Sequence, residues 1–297
     1  MNNADKAYND LCRDILANGV AKEDRTGTGT LSVFGRQLRF DLSEGFPLLT
    51  GKLVPFRLIA EELLFFIKGK TNLKDLLDKN VDIWTRDGYA KMTRENAVDE
   101  TLEDFRELAG EYGYDLGPIY GSQWRSWPSN RVDEFDQVLP EIDQLEQAIE
   151  NLKYDPNSRR MIVSAWNPPE LDGMALPPCH IMFQLYCADG RVSLQMYQRS
   201  SDVFLGLPFN IASYALLLEM IAQVTGYEVG ELIITLGDAH IYSNHIAQVE
   251  KQITREPREL PRLYLDATIT DIDDFEYDHM AVLGYEPHPA IKGAQSF

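Results

Sequence analysis

Pro177-Pro178-Cys179-His180 is the first stretch of the sequence whose residue types could do covalent chemistry. Two prolines fix the backbone directly before a cysteine. The apolar run that follows, IMFQLYC, reads as a strand. A thiol at a rigid strand entry is held at one angle toward a pocket, where it can serve as a nucleophile. Taken alone the motif reads rather as a buried structural cysteine, since free Cys is among the most buried residue types and is inert in apolar surroundings. Cys187, inside the strand, fits that plainer description.

Arginines tip the balance toward chemistry. Arg25 sits in a Gly/Thr loop, Arg159 and Arg160 follow Ser158, and Arg199 sits in the run Gln198-Arg199-Ser200-Ser201-Asp202. Guanidinium groups match phosphate oxygens bidentately, and small neighbours let the anion approach. A cationic cluster of this kind is also expected to lower the pKa of Cys179 and favour its thiolate. Each arginine taken singly reads as a surface or ion-paired residue. Asn210 follows Leu205-Gly206-Leu207-Pro208-Phe209 at a loop-to-helix junction, and its amide offers a donor and an acceptor in one plane, the complement of the O4/N3–H edge of uracil. Its alternative is a helix N-cap. In Gly237-Asp238-Ala239-His240-Ile241-Tyr242, His240 and Tyr242 alternate and could both hydrogen-bond a sugar hydroxyl.

These groups need elements to position them. Residues 4–19 have apolar residues at helical spacing and end at Gly19, which predicts an opening helix. Residues 24–29 (DRTGTG) form a Gly/Thr loop. Residues 30–41 alternate as strands with a turn near Gly35. Residues 55–68 begin at a proline and stop at Gly69, as a buried helix does. Residues 85–113 are polar and acidic, and read as a surface insertion with a short helix near 99–110. Residues 133–152 read as a helix broken by Pro140. Residues 160–166 and 180–197 are β-rich, with a turn at Ala188-Asp189-Gly190. Residues 210–226 form an apolar helix with Asn210 near its start, and 230–237 and 262–268 look like further strands. Strands and helices mix without a strict βαβ rhythm and no linker interrupts them. A single α+β domain over residues 1–297, with a mixed sheet flanked by helices, is therefore expected.

Composition bounds the function. Of 297 residues, 44% are hydrophobic and 25% charged, ordinary values for a globular protein. The formal net charge of −19 opposes binding to nucleic acid while permitting a local basic pocket. No run of 18 apolar residues and no secretory signal is visible, so no membrane span is expected. The three cysteines, Cys12, Cys179 and Cys187, argue against a disulfide framework and for a reducing compartment. No His/Cys cluster suggests a metal.

Several longer blocks together carry a resemblance. DRTGTG (24–29), DLGPIYGSQWR (115–125), PNSRRMIVSAWN (156–167), LPPCHIMFQLY (176–186), YQRSSDVFLGLPFNIASYALL (197–217) and GDAHIYSNHI (237–246) resemble the thymidylate synthase family over roughly residues 8–292. The resemblance implies a sheet-packed homodimer in the cytoplasm, the host's if the source is a phage, with Arg159 and Arg160 reaching the partner's site. It implies Arg25, Arg199 and Ser200 on the phosphate of deoxyuridylate, Asn210 on the uracil edge, and His240 and Tyr242 on the 3′-hydroxyl. Cys179 would attack C6 of the pyrimidine, Glu62 would relay a proton, and Tyr120 would lie near the C5 proton. The carbon donor would be 5,10-methylene-tetrahydrofolate, bound near Lys52, Ile83, Trp84, Leu176, Asp202, Gly206 and Phe209, with Asp202 also approaching the base. No metal is implied.

The bottom-up chemistry agrees. Adding a thiolate at C6 makes C5 enolate-like and nucleophilic, and a buried glutamate with a raised pKa can manage proton transfer at O4. An exocyclic methylene then remains on C5. Hydride from the folate gives a methyl group, whereas water gives a hydroxymethyl group, so exclusion of water sets the product.

Three departures from the family fall on that decision. The second basic residue expected after Lys52 is Leu53. The second tryptophan expected three residues after Trp84 is Asp87, with Tyr89 nearby. The small aliphatic tail is replaced by Gly293-Ala294-Gln295-Ser296-Phe297. In the family the tail folds over the folate and is held partly by that basic residue and tryptophan. All three parts of the latch have changed together, so the expected product is 5-hydroxymethyl-deoxyuridylate, with classical thymidylate synthesis as the alternative. A non-catalytic nucleotide- or RNA-binding protein on the same fold is a reading of another class, opposed by the retained cysteine, arginines and glutamate. Deoxycytidylate is disfavoured because Asp, not Asn, would suit cytosine at position 210. Asn210→Asp should shift kcat/KM toward deoxycytidylate by on the order of a hundredfold. Unchanged uracil selectivity in substrate competition would reject the edge-reading role.

Overall fold

Long in–out alternation in the second half of the chain builds the centre of a mixed sheet. The computed structural model describes residues 2–24, 27–95, 99–129 and 132–296. In chain order the elements are α1 (Asn3–Asn18), β1 (Val20–Lys22), β2 (Thr30–Asp41), α2 (Phe56–Ile67), α3 (Lys74–Leu77), α4 (Thr85–Glu95), α5 (Leu102–Tyr112), α6 (Tyr120–Arg125) and α7 (Gln144–Tyr154). There follow β3 (Ile162–Ser164), β4 (His180–Ala188), β5 (Arg191–Asp202), α8 (Gly206–Thr225), β6 (Glu228–Tyr242), α9 (Ile246–Ile253), β7 (Arg262–Leu265) and β8 (Met280–Leu283). The main sheet runs β1-β2-β6-β5-β4-β3, and β7 pairs with β8 in a separate ribbon. All neighbours are antiparallel except β5 and β6, which α8 connects in parallel. The expected α+β single domain with a mixed sheet is thus what the chain forms.

One face of the sheet is the core. Val192, Leu194 and Met196 of β5 and Leu232, Ile234 and Leu236 of β6 are fully enclosed there, and α8 packs on both strands. The apolar character of α8 on nearly every side fits its enclosure. By length and composition it could cross a membrane, but most of it is buried within the fold, as in the core helix of a globular protein. It ends at Gly226 in the left-handed conformation (φ 74°), as helices often do. On the opposite face Gln37 and Gln195 both donate to Thr235 Oγ1 at 3.1 Å. Ile162 and Tyr186 lie on that face too, with 42% and 66% of their surface exposed.

Several expected elements differ in extent. The turn near Gly35 is not a turn. β2 runs straight through, keeping one register with β6 from Phe34↔Asp238 to Arg36↔Leu236 while Gly35 takes φ 74°. Pro140 does not break a helix, because the helix begins only after it, at Gln144, capped by Asp143 accepting from Glu146 N. The preceding stretch folds back on itself, with Asp133 Oδ1 accepting from Phe135 N and Gln137 N at 2.8 and 2.9 Å. Such local side-chain bonds compete with helix. The 85–113 insertion has a second helix, α4, and is not merely surface: Phe105 is 2% exposed and rests on Tyr89 and Tyr114 at 5.8 and 4.9 Å between ring centroids. The β4–β5 turn is as expected, with positive φ at Asp189 and Gly190, the requirement of a type I′ hairpin.

The loop leading to Lys52 is fixed by a buried acid. Asp5, 1% exposed, accepts from Thr50 N (2.9 Å), Thr50 Oγ1 (2.9 Å) and Gly51 N (3.0 Å). The chain past β8 is fastened to the same loop, through His288 N donating to Thr50 O at 2.8 Å and Tyr285 Oη donating to Leu49 O at 2.8 Å. Removing the carboxylate strands three buried donors. Asp5→Ala is therefore expected to cost roughly 3 kcal/mol of stability, read as a lowered urea midpoint at constant m; a midpoint at the wild-type value would reject this role.

Candidate active site

Cys179 lies at the entry to β4, held through its backbone from two sides. Its N–H donates to the Tyr120 hydroxyl at 2.8 Å, and its carbonyl accepts from Arg199 N at 2.8 Å. Arg199 also donates through Nε to Pro178 O (2.8 Å) and through Nη2 to Pro177 O (3.0 Å). Its guanidinium thus clamps the Pro-Pro-Cys loop while other N–H groups stay available for an anion. The β4–β5 register slips between His180 and Met182, a bulge of the kind that re-aims a side chain beside a site.

The thiol is not predisposed to ionise. Burial pushes the Cys179 pKa up, Arg199 pulls it down by less, and Asp87 and Asp202 add to the rise. This corrects the expected lowering by a cationic cluster: desolvation outweighs the one arginine that acts on it among the described residues.

Behind the cysteine stands an aromatic wall. The Tyr120 ring stacks on His180 (4.0 Å, 11°) and meets Trp84 edge-on at 6.2 Å. Desolvation lowers the His180 pKa to about 3, so the ring is neutral, and its Nδ1 pairs with Tyr214 Oη at 2.8 Å. Glu62, half-buried on α2, accepts from the Trp84 indole N–H at 2.7 Å. Burial raises its pKa to about 7; the Trp84 bond opposes the rise, and the Asp87 charge adds to it. A carboxyl poised there can both take and return a proton near neutrality.

β5 and α8 carry the groups expected to face a pyrimidine. α8 begins at Gly206, four residues before Asn210, and Asp202 Oδ1 accepts from Phe204 N and Leu205 N at 2.9 and 3.0 Å just ahead of it. Asn210 is therefore not an N-cap. Its Oδ1 accepts from Gln198 Nε2 at 3.0 Å, which fixes the amide plane and turns Nδ2 outward as a donor. Parallel pairing sets Ser200 opposite Asp238 and Asp202 opposite His240. His240 and Tyr242, two apart on β6, share a face and meet edge-on at 5.2 Å. His240 Nδ1 contacts Asp238 Oδ1 at 3.1 Å. The contact with His240, with Lys22 and Ser32 beside it, holds the Asp238 carboxyl well below the usual carboxylate range.

On the expected folate side, the Lys52 ammonium donates to Phe204 O and lies 3.6 Å from the centre of the Phe204 ring. Burial lowers its pKa to about 8 against the pull of Asp202. Ile83, Leu176 and Phe209 are part-buried hydrophobics packed on the core, and the Gly206 backbone approaches Asp202 Cβ. Leu53 is 48% exposed. Tyr89 turns away into the insertion, its hydroxyl donating to Glu100 O at 2.9 Å.

Arg159 and Arg160 do not join this group within one chain. Both are exposed, and Leu185 N donates to Met161 O, which sets them beside the far end of β4, six residues from Cys179. That is roughly 20 Å along a strand. Arg25 and Phe297 lie outside the described residues. Among the described residues no cluster of His, Cys, Asp or Glu could hold a metal. Sequence reasoning missed Gln198, His180 and Asp238, whose signal was adjacency: each sits one or two residues from a group already singled out.

The family model described as thymidylate synthase matches residues 6–297. The Glu62–Trp84 bond makes a prediction that needs no product analysis. The indole N–H stabilises the carboxylate, so its removal favours the protonated acid. The inflection of kcat/KM near pH 7 should move to higher pH in Trp84→Phe and vanish in Glu62→Gln. A pH profile identical in all three proteins would exclude Glu62 as the titrating group.

Proposed function

The chain belongs to the thymidylate synthase family, and on that premise we propose that it completes one-carbon transfer to deoxyuridylate with water, releasing 5-hydroxymethyl-deoxyuridylate. Family membership supports the coarser reaction, transfer of one carbon from methylene-tetrahydrofolate to C5 of the nucleotide. The folate supplies that carbon at the formaldehyde oxidation level. Cys179 adds through Sγ to C6, and the electron pair of the C5–C6 bond moves toward O4, where Glu62 manages the proton. C5 then takes the carbon and loses its hydrogen near Tyr120, and the bond from that carbon to the folate nitrogen breaks, releasing tetrahydrofolate and leaving an exocyclic methylene. Water adds to the methylene carbon, its proton passes to a base, and the returning electron pair expels the Cys179 thiolate. Asn210, fixed by Gln198, reads the uracil edge, while Arg25, Arg199 and Ser200 bind the phosphate. His240 and Tyr242 hold the 3′-hydroxyl.

The observation that carries the water-quenched reading is Asp87. A half-buried carboxylate stands where the family carries a second tryptophan, and its charge is felt by both Cys179 and Glu62. A carboxylate at this distance keeps the site hydrated, whereas an indole would exclude water.

Two features support a homodimer. One face of the sheet, with Ile162, Tyr186 and Gln195, carries no helix among the described residues. Arg159 and Arg160 sit too far along β4 to serve their own Cys179, so they serve the site of a second copy. A cytoplasmic setting suits the three free cysteines.

Incubation with deoxyuridylate and methylene-tetrahydrofolate should yield a product heavier by a hydroxymethyl group without dihydrofolate absorbance, and Cys179→Ser should lower turnover by about three orders of magnitude or more. Asp87→Trp should move the product toward the methyl form. Dihydrofolate and a methyl product from the unaltered protein would overturn the reading.

A further inference from the structure

Ser243-Asn244-His245, at the end of the block that carries His240 and Tyr242, has no part in the chemistry above, yet it meets the altered tail. His245 is fully buried. Its Nε2–H donates to Ala294 O at 2.7 Å, and Asn244 Nδ2 reaches the same carbonyl at 3.4 Å. One residue earlier, a Cβ built on Gly293 would stand 2.8 Å from Phe204 Cε1 and 2.9 Å from His245 Nε2, so the backbone lies flush against both rings. The Phe204 ring is shared. His245 packs on it at 5.0 Å between centroids, and the Lys52 ammonium lies 3.6 Å from its centre. Phe204 N in turn donates to Asp202. A continuous chain of contacts therefore runs from Asp202 and Lys52, through Phe204 and His245, to the tail. Upstream, Arg255 Nη1 bridges Gly51 O and Pro289 O at 2.7 Å each, so the strap is fixed before it reaches His245.

We propose that His245 is the positioning residue that anchors the C-terminal strap against the Lys52–Phe204 side of the site. This rests on the folate-dependent reading above but not on the identity of the product. The donor matters more than the ring: the backbone carbonyl of Ala294 has the single His245 bond as its short, buried partner, while the Asn244 bond is long and exposed.

Four proteins test it: His245→Phe, which keeps the ring packing and removes the donor; His245→Gln, which keeps a donor; the chain ending at Lys292; and that shortened chain with His245→Phe. His245→Phe should raise KM for methylene-tetrahydrofolate about tenfold, the effect of losing one well-made hydrogen bond. Deoxyuridylate binding should stay unchanged, and carboxypeptidase should trim the tail faster. His245→Gln should recover most of both effects, and in the shortened chain His245→Phe should add nothing. Additive effects in the shortened chain, or a full-length His245→Phe protein with wild-type KM and trimming rate, would overturn the proposal. If His245→Phe does not fold, Gly293→Val decides in its place. Its side chain cannot fit between Phe204 and His245, so it should reproduce the raised KM and faster trimming, and wild-type values would overturn the proposal. A methyl product would leave these outcomes untouched, so the two readings fail separately.

Discussion

The register of β5 is the constraint on which the site depends. This one strand is antiparallel to β4 on one side and parallel to β6 on the other. Through the first pairing it faces His180 with Gln198, one residue from the nucleophile, and through the second it faces His240 with Asp202. Gln198, which fixes Asn210, and Arg199, Ser200 and Asp202, which are proposed to meet the nucleotide and its cosubstrate, therefore hang from five consecutive residues, 198–202. A one-residue slip would send each to the other face of the sheet. Such a slip is resisted by the apolar set Val192, Leu194 and Met196, which would leave the core in the same motion. At about 25 cal/mol per Å² of apolar surface, turning three such side chains out costs several kcal/mol. Packing that holds the fold together thus also fixes the geometry of the chemistry.

Desolvation, rather than local charge, sets the character of the buried ionisable groups. It pushes Cys179 up despite Arg199, Glu62 to about 7 despite an indole donor, Lys52 to about 8 despite Asp202, and His180 to about 3 with nothing opposing it. The common direction is toward neutrality, which is what an enclosed pocket imposes. In the proposed reaction, a neutral thiol that ionises at the moment of attack and a neutral-leaning glutamic acid that can exchange a proton near pH 7 are complementary. Binding a nucleotide phosphate close to Arg199 would add an anion to the pocket, so thiolate formation depends on the guanidinium shared between the phosphate and the Pro-Pro-Cys loop.

Much of this was legible in residue order, and the failures have identifiable causes. The Ala188-Asp189-Gly190 turn and the start of α2 at Pro55 follow from backbone chemistry that acts within a few residues. α8 was read to begin at Asn210 because the capping preference of Asn is strong. The start lies earlier because Asp202 supplies acceptors for the loop, and Pro208 is tolerated within the first turn. Helix through 133–143 was wrong because Asp133 bonds to its own following backbone. Cys179, Glu62 and Asn210 were singled out from motif and resemblance. What could not be read was which contacts the arginines make: Arg199 and Arg160 have similar small-residue neighbours, yet one clamps the cysteine loop and the other stands at the far end of β4. Sequence adjacency carries no sign of that separation, because it is set by strand pairing.

The same separation bears on how water enters the reaction. Within one chain the nucleotide half of the site is built from the rigid centre of the sheet, whereas Leu53, Asp87 and the tail belong to loops and a short helix at its margin. The centre is over-determined by packing and changes only with loss of the fold. The margin is held by separate hydrogen bonds such as His245 to Ala294, Arg255 to Pro289 and His288 to Thr50, each of order one kcal/mol. Substitution there therefore carries a low energetic cost, and in the proposed reaction that margin bears on whether the exocyclic methylene meets hydride or water. In the proposed reaction a carboxylate in place of an indole leaves the addition to C6 as it is, since Tyr120 and Arg199 hold the Pro-Pro-Cys loop. It alters the polarity of the space next to C5 once addition is complete. On this architecture the identity of the product can change while the nucleophile, its loop and the uracil-reading amide stay as they are.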